Sequence, residues 1–368
     1  MSFDPLAAAN AATRALRAYD PGHDLPALRI QYGERLVELG SNENSQGPSP
    51  RVVEAINAAI PEVFRYPDPK GAALKAALAK KFGVETNQIA LGNGSHELLM
   101  LIAQSFADAT TSVVFSQFGF AVFAIGTAAA GSQPIRVPAL PIDHPTTPLG
   151  HDLPALAAAV RDDTHLLFLA NPNNPTGTWF DDAALDAFMA KVPERVVVVV
   201  DEAYAEYLDA PGASSAVRLL SRYPNLIVTR TFSKAYALAG LRVGYALGSA
   251  GAIGVIERLR ESFNVNGIAL AAATAAFGDQ NYMQNACAET AKERAWLDGR
   301  LRERCLRTFP SQTNFILVDF ARDAAEVERV LFDHAVVVRP MVGYGLPTCL
   351  RISVGTRAEN QRLLDALP

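Results

Sequence analysis

Short, continuous apolar runs recur through the middle of the chain, at residues 113–115, 166–169, 196–200, 226–228 and 243–247. They do not alternate with polar positions. A strand written this way is buried on both faces, as in a mostly parallel sheet covered by helices. Helical patterns over 95–107 and 181–191 lie before and between these runs, which predicts an α/β architecture. From about Gly251 the pattern changes. An Ala-rich, charged helical stretch through 289–307 is followed by strand-like segments at 315–318, 336–338 and 350–354, with a helix over 324–333. This half reads as a smaller α+β domain. The expected organisation is a large domain over 48–260 and a small domain over 261–368, which the N-terminal arm, 1–47, joins.

One uncharged stretch, between Asp108 and Arg136, is long enough to span a bilayer. It contains Ser116, Gln117, Gly119, Gly126, Thr127, Gly131 and Ser132 and lacks basic flanks at both ends. A buried strand, a polar loop and a core helix account for it, so no membrane span is expected. The N-terminus carries Asp4 and no apolar core behind a basic start, so no signal peptide is expected either.

At 368 residues the chain exceeds what one core usually serves, and 49% apolar against 19% charged residues leaves ample material for two. The net charge of −5 offers no broad basic patch, which argues against nucleic acid as a partner. Cys287, Cys305 and Cys349 are scattered, without CxxC spacing. That argues against a disulfide framework or zinc site, fits a reducing cytoplasm, and leaves all three as buried structural thiols.

Four of the five apolar runs end in a polar cluster: residues 116–118, Asn171-Pro172-Asn173-Asn174, Asp201-Glu202 and Thr229-Arg230-Thr231. Sites in open α/β sheets collect at such strand ends. The densest grouping is Thr231-Phe232-Ser233-Lys234, with Arg242 eight residues on. Hydroxyls and an arginine suit a phosphate, and a lysine suits imine formation with an aldehyde. A surface lysine beside an ordinary helix start is the alternative. Asp201 ends a five-valine run, where a carboxylate needs a partner; a helix cap, an ion pair or a protonated ring nitrogen would each serve. Tyr204 is near enough to share that partner, or is a core tyrosine. The stiff turn from Asn171 to Gly177 could present Asn174 to a phenolate oxygen, or be only a turn. Gly92-Asn93-Gly94-Ser95 precedes a helix and could approach an anion, although an unliganded capped helix would look much the same. Phe118 could cover a planar ring or pack in the core. Arg351 could fork a carboxylate or form a surface salt bridge.

Taken together, NPNNPTG (171–177), DEAY (201–204) and TFSKAYALAGLRVGY (231–245) resemble the aspartate-aminotransferase-like, fold type I pyridoxal phosphate enzymes, and within them the histidinol-phosphate aminotransferase family. Tyr19-Asp20-Pro21-Gly22, Ser41-Asn42-Glu43-Asn44, residues 65–69, Gly92-Asn93-Gly94-Ser95 and residues 351–356 extend the likeness over nearly the whole chain. The resemblance implies pyridoxal 5'-phosphate as cofactor, held covalently by Lys234, with Asp201 on the ring nitrogen, Asn174 and Tyr204 on the ring oxygen and Phe118 stacked on the ring. It places Gly94, Ser95, His96, Thr231, Ser233 and Arg242 around the cofactor phosphate. Tyr66 would reach that phosphate from a neighbouring subunit, which implies a homodimer with shared active sites. Arg351 would bind the substrate carboxylate, and Tyr19, Asn42 and Arg339 the rest of the substrate.

The chain departs from the family at Ala18, before Tyr19, and at Ser45, after Asn44, where relatives usually carry proline. Phe118 replaces a usual tyrosine, and His96 stands where Asn or Asp is common. The implied reaction is transamination between an amino donor and a 2-oxo acid, with histidinol phosphate and 2-oxoglutarate as the first pair. An aromatic amino-acid aminotransferase is the nearest alternative, and a threonine-phosphate decarboxylase a third. A nicotinamide dehydrogenase is disfavoured because no Rossmann glycine fingerprint occurs.

Overall fold

The computed structural model describes residues 3–16 and 22–368. Its strands are β1 (Val37–Glu38), β2 (Ile89–Gly92), β3 (Ser112–Ser116), β4 (Gln133–Val137), β5 (Thr164–Ala170), β6 (Val197–Asp201), β7 (Leu226–Thr231), β8 (Gly244–Gly248), β9 (Arg307–Thr308), β10 (Phe315–Asp319), β11 (Val336–Val337), β12 (Arg339–Pro340) and β13 (Cys349–Ser353). Seven of them form one sheet in the order β2-β8-β7-β6-β5-β3-β4. Strand β8 runs antiparallel to both neighbours, and the remaining pairs are parallel. This is the α/β class that the doubly buried runs predict.

The valine run shows why it does not alternate. Val198 and Val200 point into the core on one face of the sheet, with Leu167, Leu169 and Val228. Val199 points into the core on the other, with Phe168 and Ile227. Successive side chains leave opposite faces, so a strand between two helical layers must be apolar throughout. The two strands that the apolar pattern did not reveal, β2 and β4, lie at the sheet edges. Strand β4 is largely solvent-exposed and carries Pro134, which an edge tolerates.

Strands β12-β13-β10-β9 form a separate antiparallel sheet, and β1 pairs with β11 in parallel. The small core gathers Leu297, Leu301, Ile316, Val318, Val327, Leu350 and Leu363. Residues 267–287 lie beyond the boundary expected at 260, yet Ala269, Ala273, Phe277, Met283 and Cys287 pack into the large-sheet core. The helix Gln280–Glu303 therefore serves both cores, Cys287 in one and Leu297 in the other. We propose that the division between domains falls within this helix. The expected helical stretch to 307 ends earlier, at Glu303, where Cys305 takes a left-handed backbone (φ 60) and Arg307 joins β9. Cys287 and Cys349 are buried, but Cys305 is exposed, which corrects its reading as a core thiol.

The uncharged stretch folds as β3, a turn, the helix Ala121–Ala129 and β4. Among the described residues, no helix is long and apolar enough to cross a membrane.

Behind the C-terminal ends of β6 and β7 lies a buried charged cluster. Arg230 reaches Glu202 Oε2 at 2.7 Å and Glu206 Oε1 at 3.3 Å, and its guanidinium lies over the Phe82 ring. Glu202 also accepts from Ser215 Oγ at 2.8 Å. Removing one member strands a buried charge. Glu202→Ala is expected to lower stability by about 3–5 kcal/mol in urea denaturation of the apoprotein. A loss under about 1 kcal/mol would show that water reaches Arg230.

Candidate active site

A cleft of ≈ 920 Å³ opens at the C-terminal ends of the central strands. Ser116 of β3, Ala170 of β5, Asp201 of β6 and Thr231 of β7 line its floor. The smaller, antiparallel sheet supplies Arg339 of β12 and Arg351 of β13, and the loop carrying Ser41 and Asn42 closes one side.

Lys234 follows β7 into this cleft, where its Nζ donates to the Ser41 carbonyl at 3.1 Å and lies 5.9 Å from the centre of the Tyr204 ring. Burial, reinforced by the charge of Arg351, pulls its pKa down to about 8. A sizeable fraction of neutral, nucleophilic amine is therefore present near neutral pH.

Asp201 is 4% exposed. Its carboxylate accepts from Thr229 Oγ1 at 2.7 Å, across the β6–β7 register. Burial pushes its pKa up to about 7, the Thr229 hydroxyl opposes that, and neighbouring Glu202 adds to it. Among the described residues, no cation lies within ion-pair distance of it. A buried acid so placed calls for a positive partner. A protonated ring nitrogen fits that need.

An anion cradle lies beside the lysine. Thr231 Oγ1 donates to Ser233 Oγ at 2.9 Å, and Arg242 Nη1 donates to Ser233 Oγ at 3.1 Å. The helix Gly94–Phe106 starts here, with Ser95 and His96 of its first turn lining the cleft. Gly94 has φ +80, and a Cβ there would lie 2.6 Å from Arg242 Nη2, so only glycine lets the guanidinium sit against the helix start. The His96 imidazole is held below its ordinary pKa by burial and then by the Arg242 charge. It presents a neutral ring beside the cradle. Hydroxyls, an arginine and a helix N-terminus are together a phosphate-binding set.

The third group faces the smaller, antiparallel sheet. Tyr204 OH accepts from Asn42 Nδ2 at 2.9 Å, and its ring meets Phe315 edge-on at 5.3 Å. Burial raises the phenol to about 12, so it stays protonated. Arg351 Nη1 donates to Asn174 Oδ1 at 2.6 Å, and Nη2 to the Gly40 carbonyl at 2.7 Å. Arg339 lines the same cleft, close against the Gly22 backbone.

The structure thus gathers Lys234, Asp201, Tyr204, Asn174, Ser95, His96, Thr231, Ser233, Arg242, Asn42, Arg339 and Arg351 around one cleft. Gly94 stands just behind Arg242. Phe118 is buried with Leu149, Phe309, Leu317 and Met341, and Phe120 of the same turn lines the cleft. A ring without a hydroxyl loses nothing by full burial in an apolar cluster. Tyr66 stands outside its own chain's cleft, 83% exposed and stacked on Phe263 at 4.8 Å. Tyr19 and Ala18 lie outside the described residues. Thr229, the partner of Asp201, went unassigned in the sequence although it stands in one of the strand-end polar clusters. The Ser41 carbonyl, a backbone group, left no signal there.

The model of the family described as aminotransferase class I and II matches residues 34–367. The chain belongs to that family. It is 45% identical to histidinol-phosphate aminotransferase 2 of Pseudomonas aeruginosa, over 99% of this chain and 98% of that one. Among solved structures, it is similar to a histidinol-phosphate aminotransferase of Sinorhizobium meliloti crystallised with pyridoxal 5'-phosphate. That likeness has a TM-score of 0.86 at 35% identity, covering 97% of this chain and 96% of that one. A threonine-phosphate decarboxylase of Porphyromonas gingivalis shares the fold alone, with a TM-score of 0.78 at 20% identity over 90% of this chain and 98% of that one.

Proposed function

We propose that this chain is a pyridoxal-phosphate-dependent aminotransferase that takes the amino group of histidinol phosphate and delivers it to 2-oxoglutarate. The observation that carries the reaction class is the pairing, in one cleft, of a depressed lysine amine with a buried acid that meets no cation among the described residues. When bound, the cofactor supplies an aldehyde carbon and a ring that withdraws electrons from the substrate. The residues do the rest. Lys234 Nζ would hold the cofactor's aldehyde carbon, and as a free amine it would carry the proton from the substrate α-carbon to that carbon, the shift that transfer of the amino group requires. Asp201 holds the proton on the ring nitrogen. Thr231, Ser233, Arg242 and the first turn of the helix Gly94–Phe106 grip the phosphate. Asn174 and Tyr204 donate to the ring oxygen.

Arg351 and Arg339 give the outer cleft two guanidinium groups for the anionic end of a substrate, a phosphate in the donor or a carboxylate in the acceptor. The likeness to histidinol-phosphate aminotransferases over nearly the full chain favours the phosphate donor. A second copy of the chain completes the site through Tyr66. Val63, Phe64 and Tyr66 are all strongly exposed, an apolar surface suited to a partner subunit. A cytoplasmic enzyme fits the free thiols.

The test is a panel of amino donors assayed with 2-oxoglutarate. Histidinol phosphate is expected to exceed phenylalanine and tyrosine in kcat/KM by at least about 10-fold, the scale of one charge-assisted contact. Equal or better use of the aromatic amino acids would make this an aromatic aminotransferase.

A further inference from the structure

Arg351 and Ser353 stand two residues apart on β13, so their side chains leave the same face of the strand. Arg351 reaches Asn174, and Ser353 reaches Asn42. The Ser353 hydroxyl accepts from the Asn42 backbone N–H at 2.8 Å and donates to Asn42 Oδ1 at 3.1 Å. With Oδ1 engaged, the amide has only its NH₂ left to present to Tyr204, and Nδ2 donates to the phenol oxygen at 2.9 Å.

The surroundings hold that arrangement. Asn42, Tyr204 and Ser353 are 1%, 3% and 3% exposed. The Asn42 backbone is left-handed (φ 56), a conformation that asparagine tolerates better than most residues, and its carbonyl accepts from Asn314 Nδ2 at 3.0 Å. A phenol that accepts from Asn42 keeps its own O–H for another acceptor. Among the described residues none takes it, and Tyr204 lines the cleft.

We propose that Ser353 is a positioning residue: by locking the Asn42 amide, it makes the Tyr204 phenol an acceptor on the protein side and a donor into the cleft. The inference rests on the pyridoxal phosphate reading above, in which the cofactor's ring oxygen accepts that hydrogen bond. A donor on that oxygen stabilises its negative charge. Losing it leaves the oxygen more basic, so the pH midpoint of the resting enzyme's visible absorption moves up. Ser353 thereby ties the small-domain strand that carries Arg351 to the electronics of the cofactor.

The test compares wild type, Ser353→Ala, Ser353→Thr and Asn42→Asp, each loaded with pyridoxal 5'-phosphate and titrated by visible absorbance. Ser353→Ala is expected to raise the midpoint by about half to one pH unit, the scale of one hydrogen bond. Ser353→Thr, which keeps the hydroxyl, stays near wild type. Asn42→Asp, whose carboxylate draws the phenol proton away from the cleft, shifts at least as far as Ser353→Ala and carries the test if that variant fails to fold. In a Tyr204→Phe background Ser353→Ala adds no further shift. An unchanged midpoint in the loaded variants, or an equal shift without the Tyr204 hydroxyl, overturns the proposal. A wild-type protein that takes up no cofactor absorbance refutes the earlier reading and this one with it.

Discussion

Lys234→Ala is expected to lower turnover by at least about 10⁴-fold with every donor, because in the proposed reaction one nitrogen both anchors the cofactor and moves the substrate's proton. The loss is in kcat. With Thr231, Ser233 and Arg242 left to hold its phosphate, pyridoxal phosphate is expected to go on binding, without covalent attachment. A single-turnover assay with histidinol phosphate checks the first part, and equilibrium dialysis the second. In the wild-type apoprotein the lysine amine titrates at about 8. The rate of covalent cofactor uptake therefore rises with pH through that region, as protonated amine gives way to free amine. Full turnover by the alanine variant would mean that another amine does the work.

Asp201→Asn is expected to move activity and stability in opposite directions. Without the carboxylate at 201 the proton on the ring nitrogen loses its proposed partner, and turnover is expected to fall by about 10²–10⁴-fold. The apoprotein, in contrast, is relieved of a buried charge. The carboxyl titrates at about 7 in the folded protein against an ordinary value of 3.8. Its folded pKa is raised, so the folded state binds the proton more tightly than the unfolded one. Its contribution is then fully present below about pH 4 and is lost as the pH rises through about 7. Above that the ionised group costs on the order of 4 kcal/mol. At about pH 8 the asparagine variant's apoprotein should melt above wild type, with the gap narrowing toward about pH 4. Bound cofactor should reverse the order at the higher pH, since a ring N–H⁺ pairs the acid. Equal melting temperatures at both pH values would show that Asp201 is already neutralised in the apoprotein.

Much of this was legible in the chain because burial on two faces leaves a strong mark. The valines from Val197 to Val200 needed no alternation, and the polar residues that interrupted each run, Asn171, Asp201 and Thr229, fell at or beside the strand ends that floor the cleft. Edge strands carry no such mark: β4 is polar and exposed, and β2 is four residues long. The long helix carried no mark of its change of core, because a helix that packs on two cores in succession shows one unbroken pattern. The Ser353–Asn42–Tyr204 relay was illegible for another reason. It joins residues 311 and 162 positions apart, and only folding brings them within reach.

Trapping the cofactor's attachment point shows which amine carries the chemistry. The protein is loaded with pyridoxal 5'-phosphate, reduced with borohydride, digested and mapped by mass spectrometry. One stable phosphopyridoxyl group is expected, on Nζ of Lys234. A label on another lysine, or none at all on a folded and loaded protein, would contradict it.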